Sequence, residues 1–408
     1  MDQPREIKKV YICSNVGLDY FFFLCKTIKA EGFKVKPIYL LSEQKYRLLA
    51  KVRGVKKIWL RFQTYIVYPF VLFLRALFAK SGSVFIVTSN TFYAPLLIAF
   101  LLRFRNIKVI HLLYDLFPDA IEVAGKTAID SNISRIVGKI TELGQKYCDG
   151  TIYLGEFLNE HAELRWGKPQ KSGIIHISTD LELYNSKFNE NLNSEKIVFH
   201  YGGQLGYLHD AISLIESVKS VFLTDLKDQV EFNFYVSGAQ AAFLEYELKD
   251  YPIRIISAIP SNQWREDIRN FHVGLVSLTP GGASVCLPSK TYGMMAGGMA
   301  IIGICPEWSD LAKLIKNCEA GFIVNNSPYS TIDFVSKQEY LKTINEKQSL
   351  NVITEQFVNT VRKIVNDHQL LTVKRMNAFH LVREQHNIEV LRGQWHGFIR
   401  QLSIEKKN

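Results

Sequence analysis

Three short segments carry residue types that could do chemistry on a phosphorylated ligand. Gly17 follows a β-rich run, Ile7 to Ser14, and Gly202-Gly203 follows a second one, Ile197 to Tyr201. Glycine after a strand lets backbone N–H groups approach an anion, so two such loops facing across a cleft would hold a nucleotide diphosphate. The third segment, Leu287-Pro-Ser-Lys-Thr-Tyr-Gly-Met-Met-Ala-Gly-Gly-Met-Ala-Ile-Ile302, reads as a helix between two strands, with Pro288 and Ser289 in its first turn and Gly297-Gly298 at its end. Ser289 is expected to cap that helix and Lys290 to add a cation beside it. A capped helix with a glycine stop, and no ligand, accounts for the same residues. Neither glycine loop completes G-x-G-x-x-G or G-x-x-x-x-G-K-[ST], so dinucleotide oxidoreduction and NTP hydrolysis are unsupported.

Strands that alternate with helices must position these segments. In the first half the apolar runs are Ile7 to Ser14, Phe33 to Leu41, Ser83 to Thr88, Ile107 to Tyr114, Gly150 to Leu154 and Gly173 to Ile177, with helices at Tyr20 to Glu31 and Phe92 to Leu102. The polar stretch Thr179 to Lys196 reads as a linker. Beyond it the pattern repeats from Ile197, with strands at Glu231 to Ser237, Ile253 to Ser257, Val273 to Leu278, Ala300 to Ile304 and Gly321 to Val324, and a helix at Asp210 to Phe222. The fold class is therefore α/β, with two doubly wound, Rossmann-like domains. Their expected bounds are 1–178, a linker at 179–196, 197–370, and a helical tail at 371–408 that packs back on the first domain. Ile353, Phe357, Val361 and Val365 recur at helical spacing ahead of that tail.

The chain has 408 residues and a formal net charge of +10, and the charge is concentrated. Between Gln44 and Tyr114 there are 12 basic residues and no acidic one, leaving 37 basic against 39 acidic elsewhere. Within this segment aromatic and aliphatic residues from Trp59 to Phe78 are flanked by cations. Gln63, Pro69 and Arg75 interrupt the run, which argues against a bilayer-crossing helix of roughly 20 apolar residues. A peripheral membrane surface fits better, with Lys56, Lys57, Trp59, Arg61, Tyr65, Phe70 and Arg75 facing an anionic leaflet. A buried helix under a solvated basic face is the plain alternative, and a nucleic-acid groove is disfavoured because the aromatics are not interleaved with polar groups. Six scattered cysteines form no Cys-x-x-Cys pair, and the N-terminus lacks the apolar stretch of a signal peptide. A cytoplasmic location, peripheral on the inner face of the plasma membrane, is the expectation.

In this order, the segments YGGQLG (Tyr201 to Gly206), IISAIPSNQWREDIRNFHVGLVSL (Ile255 to Leu278) and LPSKTYGMMAGGMAIIG (Leu287 to Gly303) resemble those of GT-B-fold glycosyltransferases, and among them family 4 of the nucleotide-sugar enzymes. YDLFPDA (Tyr114 to Ala120) and CDGTIYLGEFLNEH (Cys148 to His161) extend the resemblance into the first half. It implies a nucleotide-diphosphate sugar as donor, bound on the second domain by Gly202, Gly203, Gln204, Leu287, Pro288, Ser289, Lys290 and Tyr292 with Gly17 approaching from the first. It further implies a lipid-linked or oligosaccharide acceptor near Asp115, retention of configuration, a role in cell-surface polysaccharide synthesis, and no metal or other cofactor. Asp115 and Lys290 are the catalytic candidates. The chain departs from the family at Val285 and Gly293, where two Glu residues commonly stand, at Gln204 and Leu208 in place of phosphate-pairing cations, and at Tyr114 in place of a His. A non-catalytic partner of a membrane glycosyltransferase, and an epimerase of the same fold, are the competing readings.

Single residues carry weaker signals. His111, inside an apolar strand, reads as a satisfied core histidine. His209 and Asp210 suit either a phosphate or ribose contact or a helix start. Trp264 reads as packing, with Arg265 beside it, and for Glu307, just after a strand, an approach to the donor is only the minor alternative.

Overall fold

The computed structural model describes residues 7, 9–46, 52, 54–184, 187–190, 192, 194–257, 259–333 and 336–404. Arg47, Lys51 and Arg53 of the basic segment lie outside them. The chain divides into one unit of residues 1–177 with 388–408, and a second of residues 178–387.

The first unit is built on one parallel sheet of β1 (Lys9–Cys13), β3 (Lys34–Ile38), β5 (Ser83–Thr88), β6 (Lys108–Leu113), β7 (Gly150–Tyr153) and β8 (Ser172–Ile174), ordered β3-β1-β5-β6-β7-β8. A short pair, β2 (Val16–Gly17) with β4 (Leu41–Ser42), stands apart from it. The central strands are buried along their whole length, as SVFIVT shows, which is why they read as continuous apolar runs. One face of the sheet buries Tyr11, Phe85, Val87 and Val109 against Leu72 and Ile98. The helix Ile388–Ile404 covers part of the other face. Phe398 lies so close to Gly150 and Gly173 that a Cβ on either glycine would come within 3.0 Å of its ring, and Glu31 pairs with His396 and Arg392.

The second unit has a parallel sheet of β9 (Ile197–Gln204), β10 (Val230–Ser237), β11 (Arg254–Ser257), β12 (Val273–Ser277), β13 (Ala300–Ile304) and β14 (Gly321–Val324), ordered β11-β10-β9-β12-β13-β14. Counted within the unit this is 3-2-1-4-5-6, the Rossmann arrangement, whereas the first unit has the 2-1-3-4-5-6 order of flavodoxin-like sheets. Ile353, Phe357, Val361 and Val365 face this core from the helix Leu350–Asn366, as their spacing indicates.

The tail and the linker divide differently from the sequence expectation. The helix His368–Glu384 belongs to the second unit, burying Phe379 and Val382, and only 388–408 joins the first unit. Arg375 of that helix is buried, donating from Nε to Gly298 O at 3.0 Å and from its two terminal nitrogens to Asn189 O and Glu190 O. The described part of the linker is thereby strapped to the second unit. The cause is chemical: a guanidinium out of water needs several acceptors, and the linker backbone supplies two.

Candidate functional site

In parallel α/β sheets, ligands bind beyond the carboxyl ends of the strands, where the strand order reverses. The second unit reverses between β9 and β12. Its loops there are tied together: Thr279 donates from its backbone N–H and its hydroxyl to Leu208 O, and Gln240 Nε2 donates to Gly206 O and His209 O. His209 Nδ1 accepts from Gly206 N–H at 3.2 Å and so closes the loop on itself.

Gly203 sits in the left-handed region with φ +119°, and a Cβ there would stand 1.8 Å from Lys290 Nζ. Two residues 87 positions apart in sequence are thus brought together, with the ammonium lying on the loop backbone. The same cation helps lower the pKa of its neighbours. Burial first, then the Lys290 charge, pushes His209 down to about 4 and His200 to about 3, against a hydrogen bond that acts in the opposite sense for each. Both imidazoles are neutral at pH 7.

Beneath Gly202 runs a buried polar chain that the sequence did not reveal. His200 Nδ1 donates to Asn233 O at 2.9 Å, and its Nε2 accepts from Trp264 Nε1–H at 2.9 Å, which fixes the tautomer. Trp264 therefore does more than pack. Its ring lies against both Gly202 and Gly293, so a Cβ at Gly293 would come within 2.9 Å of the indole and 2.8 Å of Tyr184 Oη. That crowding gives a physical reason for a glycine where the resembled family carries a carboxylate.

Several expectations change at the helix Lys290–Ala296. Pro288 and Ser289 precede it instead of lying in its first turn, and Ser289, in a helical conformation itself, makes no side-chain capping bond; Thr291 N–H bonds to Pro288 O at 3.1 Å in its place. Leu287 is buried. Tyr292 is also fully buried, its ring edge-on to His386, because it lies on the core side of the helix. Gln204 is exposed at the end of β9. Asp210 is buried and committed to structure: it caps the helix Ala211–Phe222 through Ser213 N–H, accepts from Asn326 Nδ2, and pairs with Lys347 at 2.8 Å. Glu307 pairs with Lys316 at 3.0 Å, and Arg265 lies in the helix Ser261–Asp267.

The first unit reverses between β1 and β5, and its loops are also joined. Asn15 Nδ2 donates to Asn90 O and to Thr91 Oγ1, and Ser89 Oγ accepts from the backbone N–H groups of Tyr114 and Asp115. Asp115 therefore stands at the end of β6 on a fixed backbone. Burial raises its carboxyl to about 6. Burial, with a smaller contribution from the Asp115 charge, pushes the phenols of Tyr20, Tyr46 and Tyr65 above their ordinary range. Gly17 is accounted for by packing, since a Cβ there would meet Tyr39 at 2.9 Å and Phe22 at 3.0 Å.

Behind the Asp115 loop, with its cis Phe117–Pro118 bond, lies a second buried cluster absent from the sequence reading. Asp119 accepts from His161 Nε2, Arg165 and Trp166 Nε1 at 2.7–2.8 Å, and Arg165 also holds Glu122 at 2.7 Å. Burial pushes the Asp119 carboxyl up, but these hydrogen bonds and charges together take it below its ordinary value. The partners are 42 to 47 residues apart, so no local motif announces them. His111 is buried and neutral, pushed by burial to about 4; contrary to expectation, neither ring nitrogen has a hydrogen-bond partner among the described residues.

The basic aromatic segment forms the helix Gly54–Phe62, a π-helical turn Gln63–Val67 and the helix Tyr68–Leu77. The first of these buries no residue, which excludes the buried-helix alternative there. Lys56, Trp59, Arg61, Tyr65, Phe70 and Arg75 are exposed and Lys57 is partly covered, with Trp59 stacked on Phe62 at 5.5 Å. Among the described residues no helix is long and apolar enough to cross a membrane, and no three His, Cys, Asp or Glu side chains come together as metal ligands.

No family model matches the chain. It is 24% identical over 258 residues to a probable glycosyltransferase, WbjE, of Pseudomonas aeruginosa; the match takes in 60% of this chain and 62% of that protein, less than two thirds of its length. Among solved structures, sucrose-phosphate synthase of Thermosynechococcus elongatus superposes with a TM-score of 0.66 at 14% identity, over 97% of this chain and 99% of that one. HepE of Anabaena, solved with UDP, gives 0.62 at 10% identity over 97% and 100%. With the two parallel sheets described above, these similarities establish a GT-B fold of two Rossmann-like units.

Proposed function

We propose that the chain is a glycosyltransferase that moves a sugar from a nucleotide-diphosphate donor to a glycan acceptor. The observation that carries this reading is the Lys290 ammonium resting on the backbone of Gly203 at the point where the 3-2-1-4-5-6 sheet reverses. A diphosphate at that position meets a fixed cation and loop N–H groups at the moment the sugar leaves and negative charge builds up, the kind of stabilisation that usually dominates such transfers. UDP, found with HepE, makes UDP-sugars the first donors to test.

In this reading the second unit holds the donor through Gly202, Gly203 and the Leu287-to-Lys290 segment, and Asp115 of the first unit receives the acceptor. The bond from the sugar C1 to the diphosphate breaks while one forms from the acceptor oxygen. Asp115, as a carboxylate, orients the acceptor hydroxyl by accepting its hydrogen bond, and the proton leaves on the departing diphosphate. Transfer on that one face retains the anomeric configuration and calls for no metal. The basic, exposed aromatic segment supports a lipid-linked acceptor at the inner face of the plasma membrane, and hence a role in cell-surface polysaccharide synthesis.

A second reading rests on the closed space at Gly293 and the apolar Val285. A chain without the carboxylates expected there serves as a non-catalytic partner of a membrane glycosyltransferase. One experiment separates the two. Thermal unfolding is followed against UDP-, GDP-, dTDP- and CMP-sugars, with Lys290→Ala alongside. A donor at 100 times its dissociation constant raises stability by about 2.7 kcal/mol. Stabilisation by one donor, weakened by tenfold or more in Lys290→Ala, supports the transferase; stabilisation by none moves the assignment to the partner.

A further inference from the structure

Beside the edge strand β3 of the first unit's sheet, a cavity of about 570 Å³ opens between that strand and the helix Tyr68–Leu77. Lys9, Lys36 and Arg75 contribute three cations to its wall, and Tyr39, Val71 and Phe78 contribute apolar surface. No carboxylate among the described residues lines it. None of the three cations has an acidic partner among the described residues; Lys9 instead lies over the Tyr11 ring at 4.9 Å. The sheet register brings further charge close, since Lys9 pairs with Lys34 and Tyr11 with Lys36, and β1, β3 and β5 contain no acidic residue.

Lysines on an edge strand often serve only to discourage strand pairing. That purpose accounts for Lys34 and Lys36, but not for Lys9 on the inner strand β1, for Arg75 reaching in from a helix, or for a cavity that joins them. Like charges gathered without counter-charge repel one another, and an anion in the cavity relieves the repulsion.

We infer that this cavity binds the phosphodiester headgroup of an anionic glycerophospholipid. The choice of a lipid over a soluble phosphate comes from its rim. Phe78, 83% exposed, lines the cavity, and the exposed Leu74 and Phe70 continue from it along the same helix. A headgroup on the cations puts its acyl chains beside these side chains, which a free phosphate would leave in water. Arg105 fixes the rim: it donates to the Ala76, Leu77 and Ala79 carbonyls, closing the end of the helix that carries Phe78. The inference deepens the membrane reading given above and rests on it, but it is independent of the transfer chemistry.

The test uses the full chain and sedimentation with vesicles of phosphatidylcholine alone, or with about one-third phosphatidylglycerol. The pocket variant is Lys9→Gln/Lys36→Gln, which keeps most of each aliphatic stem, and a charge-matched control is Lys227→Ala/Lys249→Ala in the second unit. Two cations near an anionic surface, at about 1 kcal/mol each, correspond to roughly thirtyfold in partitioning. The expected result is that loss for the pocket variant on phosphatidylglycerol vesicles, little change for the control, and competition by soluble glycerophosphoglycerol with the wild type. Equal binding by pocket variant and wild type overturns the headgroup site and leaves the membrane reading standing. No binding by the wild type to either vesicle overturns both. Competition by inorganic phosphate as strong as that by glycerophosphoglycerol overturns the lipid assignment in favour of a free phosphate.

Discussion

At the scale of single residues, Asp115 has the most to say about pH. Its carboxyl is raised to about 6 by burial, so below that pH it is neutral and a poor acceptor for an acceptor hydroxyl. If it orients the acceptor as proposed, kcat/KM for the acceptor at saturating donor rises tenfold per pH unit up to about pH 6 and then levels. Asp115→Asn removes this limb and lowers the rate at every pH. A profile with its acid limb unmoved in the asparagine variant would assign the titration to another group and take Asp115 out of the chemistry. How such a residue is read from sequence is instructive. Asp115 was singled out only by resemblance to the GT-B glycosyltransferases, whereas the Gly202-Gly203 turn at the end of β9 was legible because strand ends and turn glycines are marked locally. The donation from Trp264 to His200 was not, since it joins residues 64 positions apart and neither type announces the other. Tyr292 misled for a related reason: its neighbours suggested a ligand, but helix phase turned it into the core.

At the scale of elements, the apolar strands were legible because parallel strands buried on both faces leave unbroken aliphatic runs. The behaviour of the linker was hidden, because it depends on a charged group nearly 190 residues away. Arg375, buried and brought down to about 10 by burial, gives its hydrogen bonds to Gly298, Asn189 and Glu190 and lies over the Phe188 ring at 5.1 Å. Arg375→Ala removes all of these and leaves three carbonyls to find other donors. The expected loss is about 2 to 4 kcal/mol of stability, since a buried carbonyl left unpaired costs about 1 to 3 kcal/mol before relaxation and water recover part of it. Limited proteolysis separates this from general destabilisation. Cleavage between Lys187 and Lys196 should speed up under native conditions while cleavage elsewhere changes little; uniform acceleration at all sites would mean the strap has no local role.

At the scale of the whole molecule, charge and protonation are distributed unevenly between the two units, and acid should expose the difference. In the second unit His200, His209 and His272 are held to about 3, 4 and 4 by burial. In the first unit His111 is held to about 4, while Asp115 is raised to about 6. A histidine depressed in the folded state contributes stability that is full above its unfolded value near 6.5 and is lost as pH falls toward the folded value, because the unfolded chain binds the proton first. A carboxyl raised in the folded state does the reverse between about 4 and 6, gaining stability as pH falls. Between pH 7 and pH 5 the first unit therefore has one titrating group of each sign, which largely offset, since the lowered Asp119 carboxyl loses stability only at more acid pH, and the second unit has three losses with no such offset among these groups. For a buried histidine such as His200 the loss at pH 5 is about 2 kcal/mol as an upper figure. Calorimetry from pH 7 to pH 5 should show the transition of the second unit moving to lower temperature while that of the first changes less, and His272→Gln should reduce the shift. A pH-independent melting profile over this range would contradict the argument, since the unfolded imidazoles take up protons here and all three folded ones would have to take them up equally.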